Sequence, residues 1–209
     1  KILNIDVPFL IPFMSSHILS SFFVLLCFLF VINGANLIDG FNGLLAINLI
    51  IINVILAYIN MNSENLEFAI LLISQIIILL SFLLFNFPSA KIFLGDSGAY
   101  LFGALTSLNT IITNNLNPQI SSFFFCTLLF YIFFEVFFSF FRKLTQNKSP
   151  IYPDEKHLHM LSYYKISSFY GKEKANFINS IFVNLIYLIL ITPGIYFFES
   201  PNLSKYWFF

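Results

Sequence analysis

Charge is what this sequence lacks most. Only 10% of its 209 residues are Asp, Glu, Lys or Arg, against about a quarter in a soluble domain. It also lacks an excess of either sign: ten basic residues face ten acidic ones, which excludes the basic surplus of a nucleic-acid binder. Cysteine is scarce. Cys27 and Cys126 both sit inside apolar runs, so they read as small buried hydrophobes rather than a disulfide or metal framework. The chain opens at Lys1 with neither a Met nor a basic-then-apolar leader, and we expect it to continue a longer protein on its N-terminal side. Apolar residues are abundant: 58% of the chain is hydrophobic and 20% aromatic, with 30 Phe. One globular core of this size cannot bury them all. The composition excludes a soluble enzyme and a disordered tail, and predicts an integral membrane protein.

A bilayer core of about 30 Å needs roughly 20 apolar residues in a helix. Six stretches answer to this, at about 17–38, 43–60, 66–86, 99–114, 119–141 and 175–197. The expected fold class is therefore all-α: a single polytopic bundle over 1–209 with about six spans. The fourth stretch carries Gly103, Ser107 and Asn109 and should lie inside the bundle. Pro193–Gly194 should kink or end the sixth. If the turn at 39–42 faces the cytoplasm, alternation puts 87–98 and 142–174 there too. Those segments hold Lys91, Arg142, Lys143, Lys148, Lys156, Lys165, Lys172 and Lys174, leaving Lys1 and Lys205 on the other side. The positive-inside rule thus predicts a cytoplasmic membrane protein with its polar clusters on the cytoplasmic face.

Three clusters stand out. The run NGANLIDGFNGLLA spaces Asn33, Asn36 and Asp39 along one helical stripe and follows them with two Asx-Gly turns, at Asp39-Gly40 and Asn42-Gly43. A helix cap needs fewer polar groups than this, although a capped helix end remains the simple alternative. The run FNFPSAKIFLGDSGAYLFG sets Asp96 between Gly95 and Gly98 just ahead of a span. A carboxylate there can hold Mg²⁺ while helix amides favour phosphate, or it can simply cap the helix. The run FRKLTQNKSPIYPDEKHLHMLSYYKI is stiffened by Pro150 and Pro153 and carries His157 and His159 among lysines. Two histidines make a poor zinc set but good hydrogen-bonding partners for phosphate oxygens. Glu135, the one carboxylate deep in a predicted span, should be functional or paired, with Arg142 two turns along as one candidate partner.

The order and spacing of these three motifs resemble the polyprenyl-phosphate N-acetylhexosamine-1-phosphate transferases, glycosyltransferase family 4, over nearly the whole sequence. The resemblance implies transfer of a sugar-1-phosphate from a UDP-N-acetylhexosamine to a polyprenyl phosphate lipid in the membrane. UMP would be released, Mg²⁺ (with Mn²⁺ as its substitute) would be the cofactor, and a homodimer is compatible with the reading. It makes Asp96 the Mg²⁺ ligand and assigns Asn36, Asp39 and Gly40 to the segment beside nucleotide and metal. Asn86 and Phe93 would contact uridine, with Phe93 as the stacking face. His157 and His159 would close over diphosphate and sugar, with Lys156 among the neutralising loop lysines.

The sequence departs from the family pattern at several points. Asn42, which the resemblance also places among the substrate-binding residues beside the nucleotide, stands where relatives carry a second acidic residue, Glu155 where they carry Arg, Met160 where they carry a third His, and Glu135 where Asp is usual. The family also has about four further N-terminal spans with an acidic loop directed at the lipid phosphate, so an inactive relative or one half of a split transferase is the first alternative. An intramembrane protease is the second. Ser97 imitates a GxSG serine, but 175–197 has no His, and an aspartyl GxGD form fails because position 93 is Phe. A transporter would place its polar residues at the midplane rather than on one face.

Overall fold

The computed structural model describes residues 2, 5–147, 149 and 156–209. Lys1, Lys148, Pro150, Pro153 and Glu155 lie outside the described residues. A short 3-10 turn (Pro8–Leu10) leads into ten helices: α1 (Ile11–Ser15), α2 (His17–Ile38), α3 (Leu44–Asn62), α4 (Leu66–Asn86), α5 (Gly95–Leu116), α6 (Ser122–Leu128), α7 (Phe130–Thr145), α8 (Leu158–Tyr170), α9 (Lys172–Phe197) and α10 (Pro201–Phe208). There is no strand among the described residues. Where lipid offers no hydrogen bonds, a helix is the structure that satisfies every backbone group internally.

Among the described residues four helices, α2, α3, α4 and α9, are long and apolar enough to cross a membrane. The predicted fifth span is broken: α6 and α7 meet at Leu129 with a bend of 68°, and they make one further span only if taken together. The Leu128 carbonyl beside the break is taken by the Tyr187 hydroxyl of α9, which supplies the partner a continuous helix would have provided. The predicted fourth span, α5, matches α2 in length at 22 residues but is more polar, because Thr106, Ser107, Asn109, Thr110, Thr113 and Asn114 are buried along it. Pro193 does not end α9, which runs on to Phe197. The stretch expected as one long loop contains α8, a 13-residue helix packed on α9.

Close approach between helices depends on small residues. A Cβ on Gly34 would sit 2.5 Å from both the carbonyl oxygen and Cγ2 of Ile132, and one on Gly103 would sit 2.9 Å from Ile32 Cα. These two glycines let α2 seat against α7 and α5. The centre of the bundle is joined by amides. Asn109 of α5 donates to Asn53 of α3 at 3.2 Å and to Gln75 of α4 at 2.7 Å. Asn60 of α3 donates to Thr113 of α5 at 2.9 Å, and Asn117 donates back to Asn60 at 3.3 Å. The N-terminal segment is tied in at the start of α6, where Asp6 accepts from the Ser122 amide at 2.8 Å and the Ser121 hydroxyl at 2.6 Å. The end of α2, the starts of α5 and α8, and the turn at 40–43 are gathered at the opposite end of the bundle from this tie.

Candidate active site

The α2 helix stops where Asp39 becomes its C-cap, with the Asp39 amide on the Asn36 carbonyl at 3.3 Å. The α5 helix starts at Gly95 (φ +66°) and holds Asp96 in its first turn, where the helix dipole favours a carboxylate. Asp96 is not the N-cap residue: that position is Leu94, which makes no side-chain capping bond. Instead the Asn36 amide donates to Asp96 Oδ1 at 3.0 Å, linking the first two motifs directly. Burial, and then the negative charge of Asp96, push the Asp39 carboxyl up to about 6. Among the described residues, neither carboxylate is paired with a lysine or arginine. Asn33 falls outside this group, since it is exposed and donates back to the Leu29 carbonyl at 2.7 Å.

The turn at 40–43 and the segment after α4 are fastened together by Asn86. Its Oδ1 accepts from the Gly43 amide at 2.6 Å and its Nδ2 donates to the Ile92 carbonyl at 2.8 Å. Asn42 adds two more ties, its side chain to the Pro88 carbonyl and its amide to Asn176 of α9, both at 2.8 Å. Asn86 is thus buried and engaged at both ends within the protein, whereas Phe93, 76% exposed, offers an open ring face. The two uridine-contact expectations therefore fall on residues in opposite circumstances, one bracing the loops and the other facing outward.

The histidines come to the same place. His157 is the N-cap residue of α8 and His159 lies in its first turn; their rings stack with centroids 5.5 Å apart and planes 3° from parallel. His159 Nδ1 lies 2.8 Å from Glu135 Oε1, and its Nε2 is the atom that a Cβ on Gly40 would meet, at 3.6 Å. The Phe41 ring packs edge-on against the His159 ring at 5.6 Å. The third motif is therefore seated on the Asp39–Gly40 turn of the first. Lys156 stands exposed one residue before His157.

Glu135 is the residue whose partner the sequence did not show. It is fully buried in α7 and accepts from the amides of Leu158 and His159, both at 3.2 Å, and from the Tyr131 hydroxyl at 3.3 Å, besides the His159 ring. His157 Nδ1 is 3.8 Å from its other oxygen. The Arg142 guanidinium lies over the Phe138 ring, 5.7 Å from its centroid. The available signal was a lone intramembrane carboxylate opposite a histidine pair at the same end of the bundle. Their pairing crosses a 24-residue separation that no local pattern encodes.

Fold and site together define a polytopic helical membrane protein in which two carboxylates, several amides and two imidazoles converge at one end of the bundle. Residues 1–114 match the family described as glycosyl transferase family 4, and the chain belongs to that family. It is 32% identical over 176 residues to an undecaprenyl-phosphate alpha-N-acetylglucosaminyl 1-phosphate transferase of Thermotoga maritima, covering 84% of this chain and 53% of the relative. It is 33% identical over 114 residues to a phospho-N-acetylmuramoyl-pentapeptide-transferase of Leuconostoc mesenteroides, covering 53% and 36%. A phospho-N-acetylmuramoyl-pentapeptide-transferase of Streptococcus sanguinis is 38% identical over 90 residues, covering 43% and 28%. The chain thus spans about half, or less, of the curated relatives it matches. No solved structure matches it.

Proposed function

We propose that this site binds a UDP-N-acetylhexosamine and transfers its sugar-1-phosphate to a polyprenyl phosphate held in the surrounding membrane. The acceptor's phosphate oxygen attacks the phosphorus that bears the sugar. The bond from that phosphorus to the bridging oxygen breaks, and UMP leaves with the electron pair. A phosphate monoester is already ionised, so the nucleophile needs no dedicated base. The main obstacle is repulsion between two anions. The observation that carries this reading is the meeting of Asn36, Asp39, Asp96, His157 and His159 at one end of an apolar bundle.

Two neighbouring carboxylates without a cationic side-chain partner among the described residues suit Mg²⁺ or Mn²⁺, which takes one or two protein oxygens and leaves the rest to phosphate and water. Asp96 would hold the ion with Asp39 beside it, and the ion would supply charge neutralisation at the diphosphate. Asn36 orients the Asp96 carboxylate. His159 turns Nε2 toward the Asp39–Gly40 turn, where in its doubly protonated form, with Nδ1–H on Glu135, it can donate a hydrogen bond to a diphosphate oxygen, and Lys156 adds positive charge at the same rim. Phe93 offers its exposed ring to the uracil, and Asn86 holds the two loops between which a nucleotide fits. The site end faces the cytoplasm, where the basic residues concentrate and nucleotide-sugars reside.

The test is release of UMP from UDP-N-acetylglucosamine by the membrane-reconstituted protein with undecaprenyl phosphate and Mg²⁺. Asp96→Asn should abolish turnover. Undiminished turnover in that variant would remove Asp96 from the chemistry and with it the metal assignment.

A further inference from the structure

The start of a helix leaves amides with no intrahelical partner, and a side chain at the N-cap usually takes one of them. In α8 the N-cap is His157, which makes no such bond. The amides of Leu158 and His159 are taken instead by a carboxylate from another helix, Glu135 of α7. The same carboxylate meets the His159 ring, and an ionised carboxylate can only accept, so Nδ1 of His159 carries a proton toward it. The other ring nitrogen is thereby committed to the Gly40 side. On the far side of α8, Asn179 of α9 donates to the His159 carbonyl at 2.9 Å and accepts from the Ser162 hydroxyl at 2.7 Å. The first turn of α8 is therefore gripped from both flanks.

We infer that Glu135 is the positioning residue for the histidine pair. It caps α8 from outside that helix and fixes the ring orientation of His159, and so holds the third motif on the Asp39–Gly40 turn. The cost of burying a carboxylate in a membrane bundle explains why it is met by four donors at once. Glu135 need not touch substrate; it acts through His159. The functional half of this inference rests on the transferase reading, while the structural half does not.

The two halves are separated by measuring amide hydrogen exchange and UMP release on the full chain in lipid nanodiscs. The Leu158 and His159 amides lack intrahelical acceptors, so their protection reports on Glu135 itself. In Glu135→Gln, which turns an NH₂ group toward donors, these amides should exchange at least about tenfold faster while those of α3 keep their wild-type rates. In His159→Gln the same amides should stay protected because Glu135 remains, although transfer falls. Adding Glu135→Gln to His159→Gln should then reduce transfer little further, since the first change acts through the second residue. If Glu135→Gln does not accumulate as folded protein, Glu135→Asp, shorter by one methylene, should show the same local loss of protection to a smaller extent. Wild-type protection of the Leu158 and His159 amides in the folded Glu135 variant would overturn the inference, as would fully additive losses of transfer. A wild-type protein that releases no UMP would defeat the transferase reading, and the exchange rates would still decide the role of Glu135.

Discussion

Asn36 near the end of α2 and Asp96 in the first turn of α5, sixty residues apart in sequence, are joined by a single hydrogen bond of 3.0 Å. Through it the first motif orients the carboxylate of the second. A hydrogen bond to a charged group contributes about 1.5–3 kcal/mol, and this one is solvent-exposed, so the lower end applies. Asn36→Ala should lower transfer about tenfold, chiefly by raising the Mg²⁺ concentration needed for half-maximal UMP release. An unchanged Mg²⁺ dependence would show that Asp96 is oriented without Asn36.

Asp39 gives the fold a pH dependence with a definite sign. Its carboxyl is pushed from the ordinary 3.8 up to about 6 by burial and by the charge of Asp96. The folded protein therefore keeps a proton that the unfolded chain gives up near pH 4. The contribution favouring the folded state is complete below that pH and is lost as pH rises toward about 6. In chelator-treated protein, the melting temperature of wild type relative to Asp39→Asn should fall between about pH 4 and pH 6 and level off above. Parallel curves across that interval would contradict the burial of this carboxyl.

Asn86 fastens two loops with opposite ends of one amide. Asn86→Ala leaves the buried Gly43 amide without a partner, a loss of about 1–3 kcal/mol before relaxation, and frees the less buried Ile92 carbonyl at a smaller cost. We expect a lower melting temperature together with a raised KM for the nucleotide-sugar. Asn86→Asp keeps the acceptor for Gly43 and loses the donor to Ile92, so it should fall between the two. A raised KM with unchanged melting would point instead to direct contact with the nucleotide.

Gly34 and Gly40 lie six residues apart and should respond differently to the same change. An alanine Cβ at Gly34 meets the Ile132 carbonyl oxygen at 2.5 Å, and backbone cannot rotate aside. Overpacking of this kind costs about 1–3 kcal/mol. At Gly40 the nearest atom is His159 Nε2 at 3.6 Å, an ordinary contact. Thermal melting in detergent should show Gly34→Ala clearly destabilised and Gly40→Ala near wild type, with the latter reduced only in transfer. Equal melting temperatures would mean that α2 and α7 are less closely seated than described.

The apolar runs of α2, α3, α4 and α9 were readable in the sequence because lipid imposes one length and one composition on each span. The break at Leu129 was not readable: no Pro or Gly marks it, and its support comes from Tyr187, a residue nearly sixty positions away. The helix in the third motif was hidden because α8 mixes Leu158, Leu161 and Phe169 with Ser, Tyr and Lys, a pattern that suits an interface as well as a loop. Within the site, Asn36, Asp39 and Asp96 could be grouped from motif and sidedness alone. The supporting parts could not. The engagement of Asn86 at both ends, the turning away of Asn33 and the partnership of Glu135 with His159 are decided by which helices meet, and that is a property of packing rather than of any one segment.

The asparagines and glutamine linking α3, α4 and α5 bear on how the protein moves. Water inside a soluble core can take over a hydrogen bond while helices slip past one another, but hydrocarbon cannot. To shift α5 along α3 by one turn, Asn109 would have to release Asn53 and Gln75, and Thr113 would have to release Asn60. These three helices are therefore held in register as a stationary frame. Movement is left to the parts mounted on its rim: the turn from Asp39 to Gly43, the segment around Phe93, and α8 with its pair of imidazoles.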